Sequence, residues 1–468
     1  MEPRSLKYIA SACAGEQLSG SPETQVGRVC TDSRQVQSGD LFVAIEGEKF
    51  DGHVFLGDVA KMGAAAALGA RTKAPGSLAG CALIAVENTR QALGRLARRY
   101  RQDFLAPTIA VGGSNGKTTT KELLSAVLRE KLRILSSQAS FNNEIGVPLT
   151  LLNLEQAHQA AVLEVGTNHP GELAPLVEMI QPKYGVMTSL GREHLEFFGD
   201  LAGVAAEEGR LAELLPAQGT LYLNGDCPDL LKVGPRTRAT VVRVGLTAGN
   251  DWRAREIRLD ETGLRFQVDA PQTAHAGEYE IGLFGRHQVG NALLALAVGA
   301  EFGLSGAELK AGLAKCPAPK MRLQLWRVQD VRVLDDSYNA NADSMRAALE
   351  TLRDFPCCGR RVAVLGDMAE LGRHGPEAHA EVGRHTALCN VGHLFAVGTM
   401  AAVMGQAARA AGLKAVTELS EVAAAARAVR EFVKPGDVVL LKASRATRLE
   451  RVGDALRSLA DRADEVER

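Results

Sequence analysis

A chain of 468 residues is too long to fold around one hydrophobic core, so about three domains are expected. Its 54 Lys and Arg nearly balance its 55 Asp and Glu, and aromatic residues make up only 4% of the chain, which argues against a nucleic-acid or membrane-surface partner. Eight cysteines lack metal-like spacing, and the start MEPRSLKYIASACAGE has no sustained apolar run, so reduced thiols and a cytoplasmic location are expected. The longest apolar stretch, ALLALAVGA (292–300), is about half as long as a membrane span, so no membrane insertion is expected.

Short β-type runs alternate with Ala- and Leu-rich helical patterns along almost the whole chain. The predicted strands are LFVAI (41–45), TIAVGG (108–113), AAVLEVG (160–166), YGVMTSLG (184–191), RVLDDS (332–337), RVAVLGDM (361–368), HLFAVG (393–398) and DVVLLKAS (437–444). Helical patterns such as TTTKELLSAVLREKL (118–132) separate them, which predicts crossover connections and mostly parallel sheets of the α/β class. Residues 247–282 alternate polar and apolar side chains, which predicts a small antiparallel insert.

Prolines mark two domain boundaries. One lies at Ala106–Pro107, just before a new strand, and the other at the two prolines of KCPAPKMR (315–322). The predicted domains are therefore residues 1–105, 106–316 and 317–468.

A glycine-rich loop follows the strand TIAV and leads directly into a helix: GGSNGKTTT (112–120). Glycines let backbone N–H groups and the helix N-terminus point at phosphate oxygens, while Lys117 supplies positive charge and the Thr118 hydroxyl can bind Mg²⁺. The strict GxxxxGK[ST] pattern fails because Val111 occupies the position of its first glycine, but the shorter GSNGKTT remains. The alternative is an ordinary glycine-rich turn. We predict a nucleotide site.

Three acidic positions and one histidine are candidates for metal binding. Glu164 ends the apolar run AAVLE, and His194 follows the strand YGVMTSLG by a few residues, although a single histidine is more often structural. The helix-like run GVAAEEGRLAELL (203–215) places Glu207 and Glu208 near its apolar stripe. A carboxylate there is either part of a solvated face or a functional group that something compensates.

Nine segments resemble, in the same order, those of the Mur ligases, and the resemblance covers essentially the whole chain. They are TDSRQVQSGDLFVAIEGEKFDGHVF (31–55), GSNGKTTTKE (113–122), SFNNEIGVPLTLL (140–152), LEVGTNHPGE (163–172), EHLEFFG (193–199), GRHQVGNALLALA (285–297), DDSYNANADSM (335–345), VLGDMAELG (364–372) and LLKASRATRLE (440–450). The implied fold has a central P-loop domain with a mostly parallel sheet, flanked by an N-terminal UDP-binding α/β domain and a C-terminal Rossmann-like α/β domain.

The resemblance also implies an activity. ATP would phosphorylate the carboxylate of UDP-N-acetylmuramoyl-tripeptide, and the amine of D-alanyl-D-alanine would attack the acyl phosphate, as the last cytoplasmic step of peptidoglycan precursor synthesis. A monomer that uses ATP and two Mg²⁺ ions is expected. The segment DDSYNANADS (335–344) is of the dipeptide-adding type.

Three alternatives remain: the preceding tripeptide-forming ligase, a folylpolyglutamate-synthase-like ligase and a P-loop ATPase switch. The segment within residues 1–105 argues against the second, because folylpolyglutamate synthases begin at the ATPase domain.

The resemblance assigns roles residue by residue. For ATP it implies Gly113, Ser114, Asn115, Gly116, Lys117, Thr118, Thr119, Asn291, Arg322 and Asp336. Thr118 and Glu164 would hold the first Mg²⁺, with His194 and Glu208 at the second, and Lys117, Glu164, His194 and Glu208 form the implied catalytic set. For the substrates it implies Asp32, Ser33 and Arg34 at the uridine diphosphate, Asn142 and Asn143 at the muramoyl-peptide arm, and Tyr338, Asn339, Asn341, Lys442 and Ser444 at the dipeptide. A simple turn at Ser33–Arg34 and a helix start at Asn339–Asn341 are the alternatives.

The chain departs from the family pattern at three positions. Gly112 stands where threonine is usual, and Ala342 replaces a common proline. Glu208 stands where most relatives carry a lysine that is carbamoylated and binds the second metal. We therefore predict that Glu208 supplies this negative charge permanently, with Glu207 as the second choice.

Overall fold

The structure, a computed structural model, describes residues 1–47 and 50–466. Residues 48–49 of the segment 31–55, and the last two residues of the predicted third domain, lie outside the described residues. Each of the three large sheets lies within one of the three predicted ranges.

The first range carries a five-stranded sheet in the order β2-β7-β6-β5-β4 and a two-stranded ribbon, β1-β3. Only β2 is antiparallel within the larger sheet. The elements are β1 (Arg4–Ser5), α1 (Leu6–Cys13), β2 (Glu16–Ser19), β3 (Gln25–Val26), β4 (Val29–Cys30), β5 (Leu41–Val43), α2 (Leu56–Lys61), β6 (Ala66–Ala70), β7 (Ala82–Val86) and α3 (Thr89–Arg101).

The central range carries a nine-stranded sheet in the order β16-β15-β14-β13-β12-β11-β8-β10-β9. Its elements up to α9 are β8 (Thr108–Gly112), α4 (Lys117–Leu128), β9 (Ile134–Ser136), α5 (Gly146–Leu151), β10 (Ala160–Glu164), α6 (Leu173–Ile180), β11 (Tyr184–Met187), α7 (Leu195–Phe198), α8 (Leu201–Glu208) and α9 (Arg210–Glu213). They continue with β12 (Thr220–Asn224), α10 (Pro228–Val233), β13 (Thr240–Gly245), β14 (Trp252–Leu259), β15 (Leu264–Asp269), β16 (Gly277–Ile281), α11 (His287–Glu301) and α12 (Gly306–Ala314).

The third range carries a six-stranded sheet in the order β17-β18-β22-β19-β20-β21, in which only the edge strand β17 is antiparallel. The elements are β17 (Gln324–Val328), β18 (Val331–Asp336), α13 (Ala342–Asp354), β19 (Arg361–Gly366), α14 (Gly375–Leu388), β20 (His393–Val397), α15 (Ala401–Ala410), β21 (Val416–Leu419), α16 (Val422–Phe432), β22 (Val438–Lys442) and α17 (Glu450–Val466).

The α/β class and the mostly parallel sheets are confirmed, and a strand lies in every one of the predicted β-type runs. The predicted helix over 118–132 begins at Lys117 and ends at Leu128. The antiparallel insert over 247–282 is present as β14, β15 and β16, but it extends the central sheet, because β14 pairs with β13.

Strand order in the central sheet explains the position of the glycine-rich loop. Strand β8 lies between β10 and β11, and all three are parallel, so their carboxyl ends meet at one edge. Glu164 pairs with Val111, and Met187 pairs with Gly112. In open α/β sheets this edge is where ligands bind.

Helix α3 joins the first domain to the central one, where it packs on α5 and α6. The Tyr100 hydroxyl donates to the Leu154 carbonyl (2.7 Å), and the buried Arg101 guanidinium donates to the carbonyls of Ile180 and Ala106. No helix among residues 1–47 and 50–466 is both long and apolar enough to cross a lipid bilayer.

Candidate active site

A cleft of about 1260 Å³ lies where the three domains meet. The face of α3 lines one wall, the glycine-rich loop lies at its base, and the third domain lines the opposite wall with the loops after β18 and β19 and with Lys442, the last residue of β22. Every ATP-site residue named from the sequence except Gly113 lines this cleft.

Two glycines of the loop have conformations that other residues adopt poorly. Gly113 has φ +110° and Gly116 has φ +90°. A Cβ atom at Gly113 would lie 2.6 Å from Thr188 Oγ1, and one at Gly116 would lie 2.8 Å from Asn291 Oδ1. The loop therefore needs glycine both for its turn and for its close packing.

Lys117, the first residue of α4, lies at the centre of the negative charge in the cleft. Its Nζ donates to the Gly113 carbonyl (2.5 Å) and lies 3.7 Å from Glu193 Oε2. Burial lowers the pKa of Lys117, but the negative charges of Glu193, Glu208 and Glu164 outweigh it, so the net shift is upward. Lys117 is therefore a permanent positive charge beside a glycine-rich loop of the kind that binds phosphate.

Glu164 is a buried carboxylate with one oxygen bonded and one oxygen without a partner among the described residues. Its Oε1 accepts a hydrogen bond from Asn142 Nδ2 (2.8 Å), whereas its buried Oε2 has no partner among the described residues. Thr118, the other predicted ligand, also lines the cleft. Carboxylate and hydroxyl oxygens are suitable Mg²⁺ ligands, and an orphaned buried oxygen fits such an ion.

Glu193 is a functional candidate that the sequence reasoning missed. It is buried, lines the cleft, and its Oε2 lies 3.9 Å from His194 Nε2 and 3.7 Å from Lys117 Nζ. Burial raises the pKa of Glu193, although Lys117 and His194 oppose the shift. The signal was available, since Glu193 follows the same strand as His194.

The two adjacent acids of α8 have different roles, and neither forms a solvated face. Glu207 is 7% exposed, and its oxygens accept from Gly171 N (2.9 Å) and Leu173 N (2.8 Å), so it caps the start of α6. Glu208 is 1% exposed, and its Oε2 accepts from Gly113 N (2.7 Å). Glu207 is accordingly a structural residue, which separates it from Glu208.

Glu208 lies behind the glycine-rich loop, not on the wall of the cleft. Its Oε1 is buried without a partner among the described residues, and burial raises its pKa to about 7, although Lys117 opposes the shift. A Cβ atom at Gly112 would lie 3.3 Å from Glu208 Oε2. Two of the three departures from the family pattern are therefore neighbours, and Glu208 as a metal ligand remains a prediction.

The other predicted nucleotide residues come together from two domains. Asn291 contacts Gly116, and the Arg322 guanidinium stacks 4.1 Å from the Tyr338 ring centroid. Asp336 accepts from Lys442 Nζ (2.5 Å), and burial lowers the pKa of Lys442 although Asp336 opposes the shift.

Most predicted substrate residues also line the cleft. These are Asn142, Asn143, Tyr338, Asn339, Asn341 and Lys442. Ser140 of the central domain is hydrogen-bonded to the Tyr338 hydroxyl of the third. Asn341 is the N-cap of α13, as the helix-start alternative proposed, and its Nδ2 also donates to Asn115 Oδ1 (2.9 Å).

Four predicted substrate residues lie elsewhere. Ser444 is buried beside the cleft, where its Oγ accepts from Ala369 N (2.7 Å), so the structure does not place it against the dipeptide. Asp32, Ser33 and Arg34 form a surface turn away from the cleft, in which Asp32 accepts from Arg34 N (3.1 Å) and from its guanidinium. The turn alternative describes this geometry, and the uridine assignment remains a prediction.

Family models match three consecutive stretches of the chain. They are described as "Mur ligase family, catalytic domain" (residues 25–101), "Mur ligase middle domain" (111–299) and "Mur ligase, glutamate ligase domain" (321–445). The chain is 32% identical to UDP-N-acetylmuramoyl-tripeptide--D-alanyl-D-alanine ligase of Bacillus subtilis (strain 168), over 97% of this chain and 98% of that protein. It is 38% identical to the protein of the same name from Escherichia coli (strain K12), over 84% and 85%.

Solved structures of MurF also match the chain. MurF from Acinetobacter baumannii matches with a TM-score of 0.90 and 30% identity, covering 98% of this chain and 99% of that one. MurF ligase from Thermotoga maritima in complex with ADP matches with a TM-score of 0.81 and 29% identity, over 93% and 98%. Folylpolyglutamate synthase from Mycobacterium tuberculosis, at 18% identity and a TM-score of 0.61 over 79% of this chain and 94% of that one, shares the fold. This chain, which folds as three α/β domains around one nucleotide cleft, belongs to the Mur ligase family.

Proposed function

We propose that the chain joins D-alanyl-D-alanine to UDP-N-acetylmuramoyl-tripeptide with conversion of ATP to ADP and phosphate. The observation that carries this proposal is the three-walled cleft, in which the glycine-rich loop faces Asn142 on one side and Tyr338, Asn341 and Lys442 on the other. The curated relatives that match the chain over nearly its whole length carry this activity in their names. The product would be the UDP-linked pentapeptide used for peptidoglycan, made in the cytoplasm by a monomer.

The chemistry requires an activated carboxylate. A carboxylate becomes a good electrophile only when one of its oxygens is made a leaving group. The γ-phosphoryl group of ATP passes to the tripeptide carboxylate, ADP leaves, the dipeptide amine attacks the carbonyl carbon, and phosphate leaves as the C–N bond forms. Phosphoryl transfer depends mainly on positioning and charge neutralisation.

The residues of the chain supply this positioning. The backbone N–H groups of residues 116–119, at the N-terminus of α4, orient the phosphates, whereas those of Gly113, Ser114 and Asn115 donate to groups of the protein. Lys117 neutralises charge on the outer phosphates, which would draw its Nζ away from the Gly113 carbonyl. Tyr338 and Lys442 of the third domain line the same cleft, where they would contact the incoming dipeptide.

Divalent cations fit two places in this cleft. Thr118 and the unpartnered oxygen of Glu164 would hold one ion, and His194 with Glu193 would hold a second. Bound Mg²⁺ neutralises phosphate charge and orients the phosphoryl group for transfer. Two ions would also offset the negative charge of Glu193, Glu208 and Glu164, which outnumber the Lys117 charge that they surround.

A P-loop switch is the competing function of a different class. Its ATPase activity would not depend on the acceptors, because the hydrolysis would drive binding. A folylpolyglutamate-synthase-like activity shares the fold, but the match leaves about a fifth of this chain uncovered.

The test is phosphate release from ATP together with mass detection of the product. We expect release only when both UDP-N-acetylmuramoyl-tripeptide and D-alanyl-D-alanine are present, and the product should carry the added dipeptide. Tripeptides ending in lysine and in diaminopimelate should be compared, since no motif identifies the third residue. Phosphate release that ignores both acceptors would favour the switch and contradict the proposal.

A further inference from the structure

The segment VLGDMAELG (364–372) of the third domain has no role in the assignments above, yet it reaches the edge of the active site. The chain after β19 packs against α7, which follows His194. The Glu370 carbonyl accepts from Glu196 N (3.0 Å), and His374 Nε2 lies 3.0 Å from the Gly199 carbonyl oxygen. Two of the nine segments quoted from the sequence therefore dock on each other across a domain boundary.

Two residues with left-handed backbones meet at this contact. His194 has φ +49° and Glu370 has φ +59°, and neither is glycine. Such conformations are unfavourable by about 1 kcal/mol or more for residues with a side chain, and they concentrate at functional sites. Both residues lie at the contact between the central and third domains, and their side chains touch.

The side chains of His194 and Glu370 form a direct hydrogen bond. His194 Nδ1 lies 2.5 Å from Glu370 Oε2. An ionised carboxylate can only accept, so Nδ1 carries the proton in this pair. In the neutral ring Nε2 is then an unprotonated acceptor, and it lies 3.9 Å from the Glu193 Oε2 acceptor.

We infer that Glu370 is a positioning residue that sets the tautomer and orientation of His194. Glu193 and His194 can then bind one cation together only when the third domain is docked. The inference rests on the proposed function for the role of His194. Metal-bound histidines commonly donate their second N–H group to a carboxylate, which orients the ring and strengthens it as a ligand.

The spacing of the two acceptors supports a shared cation. Mg²⁺ holds its ligands at about 2.0–2.1 Å in octahedral geometry, so two ligands of one ion lie about 2.9 Å apart on adjacent positions and about 4.1 Å apart on opposite ones. The 3.9 Å between Glu193 Oε2 and His194 Nε2 is close to the separation of opposite ligands. Docking of the third domain thereby becomes a condition for holding the second ion.

The competing explanation is that Glu370 only stabilises the contact between the two domains. The chain offers a matched control for this explanation. Arg192, two residues before His194, donates to Asp343 (2.9 Å) and Glu381 (2.7 Å) of the third domain. Glu381→Gln weakens this neighbouring interdomain contact without touching the imidazole. Glu370→Ala removes the acceptor for Nδ1, whereas Glu370→Gln keeps an acceptor oxygen.

The first measurement is ¹⁵N NMR of histidine-labelled, metal-free enzyme at pH 8, with the His194 signal identified by its loss in His194→Gln. We expect the neutral Nδ1–H tautomer in the wild type, Glu370→Gln and Glu381→Gln, and a shift towards Nε2–H in Glu370→Ala. A doubly protonated ring or an Nε2–H tautomer in the wild type would overturn the inference, as would an unchanged tautomer in Glu370→Ala.

The second measurement is Mn²⁺ binding followed by electron paramagnetic resonance with a non-hydrolysable ATP analogue. We expect two bound ions in the wild type and a 10- to 100-fold weaker second ion in Glu370→Ala. Glu370→Gln and Glu381→Gln should stay within a few-fold of the wild type. Equal weakening of second-ion binding in Glu370→Ala and Glu381→Gln would show that Glu370 only stabilises the domain contact, and it would overturn the inference. Neither measurement uses a peptide acceptor, so a wild type that fails to form the pentapeptide would reject the proposed function without deciding this result.

Discussion

Among residues 1–47 and 50–466, Lys117 is the one lysine whose charge faces the glycine-rich loop, the buried Glu193 and the base of the cleft together. Because it serves phosphate charge and no apolar core, Lys117→Ala should leave the fold intact and reduce ligation to no more than a few per cent of the wild-type rate at saturating ATP. Coupled phosphate-release assays measure the loss, and circular dichroism checks the fold. Lys310→Ala, an exposed substitution on α12, should retain full activity. A folded Lys117→Ala variant with substantial activity would contradict the assignment.

Burial of Glu208 makes stability depend on pH. Its pKa is about 7 in the folded chain against an ordinary value of 4.5, so the folded state keeps a proton that the unfolded chain has released. This group therefore lowers stability progressively as pH rises from about 4.5 to 7, by about 1.4 kcal/mol for each pKa unit of the shift. In EDTA, Glu208→Gln should raise the melting temperature at pH 8 and change it little at pH 4.5.

Glu207→Gln is the control for that measurement. It places an amide NH₂ against one of the two N–H groups that Glu207 now accepts from, so it should lower the melting temperature at both pH values. Equal and same-signed effects from the two substitutions would contradict the different roles of these neighbours.

Glu208 also carries the prediction about the missing carbamoylated lysine. If its carboxylate supplies that charge, activity should not respond to the removal of dissolved CO₂ and bicarbonate. Glu208→Gln should raise the Mg²⁺ requirement and reduce turnover sharply, whereas Glu207→Gln should leave the Mg²⁺ requirement unchanged. Equal, mild effects of Glu208→Gln and Glu207→Gln on the Mg²⁺ requirement would reject this role. The comparison is needed because Glu208 lies behind the loop, where it bonds to Gly113 N.

At the scale of one element, Asn341 couples the start of α13 to the phosphate loop. Its Oδ1 accepts from Ser344 N (2.9 Å), and its Nδ2 donates to Asn115 Oδ1 (2.9 Å). Asn341→Asp should keep the cap and the melting temperature but raise the KM for ATP, because a carboxylate would face the Asn115 oxygen. Asn341→Ala should lose both contacts and cost about 1 kcal/mol of stability as well. A normal KM for ATP in Asn341→Asp would show that the contact with Asn115 is dispensable.

The same element shows what local sequence can predict. The residue types at Asn339–Asn341 allow a helix start, and Asn341 is the N-cap of α13 without the proline that Ala342 replaces. The link to Asn115 spans 226 positions in the chain, and no local pattern encodes it.

At the scale of the whole molecule, α3 makes the first domain dependent on the central one. Its buried residues, including Leu93 and Leu96, share one apolar cluster with residues of α5 and α6. A fragment of residues 1–105 should therefore melt well below the full chain and bind uridine nucleotide more weakly. Calorimetry on both proteins tests this. A fragment with the melting temperature and affinity of the full chain would show that the domain is independent.

The sequence alone determined the α/β class, eight of the strands, the phosphate loop and the family. These depend on hydrophobic period, glycine conformations and short motifs, which act within a few residues of each other. The helical pattern did not distinguish Glu207 from Glu208, which lie side by side on one helix, and only the family resemblance selected Glu208. The tertiary structure decided that one caps α6 while the other turns to Gly113, 95 positions away. It also decided that Glu193 faces Lys117 and that Glu370 contacts His194. The first contact forms only when strands align at a sheet edge, and the second only when domains dock. No local pattern in the sequence relates the charges that these events bring together.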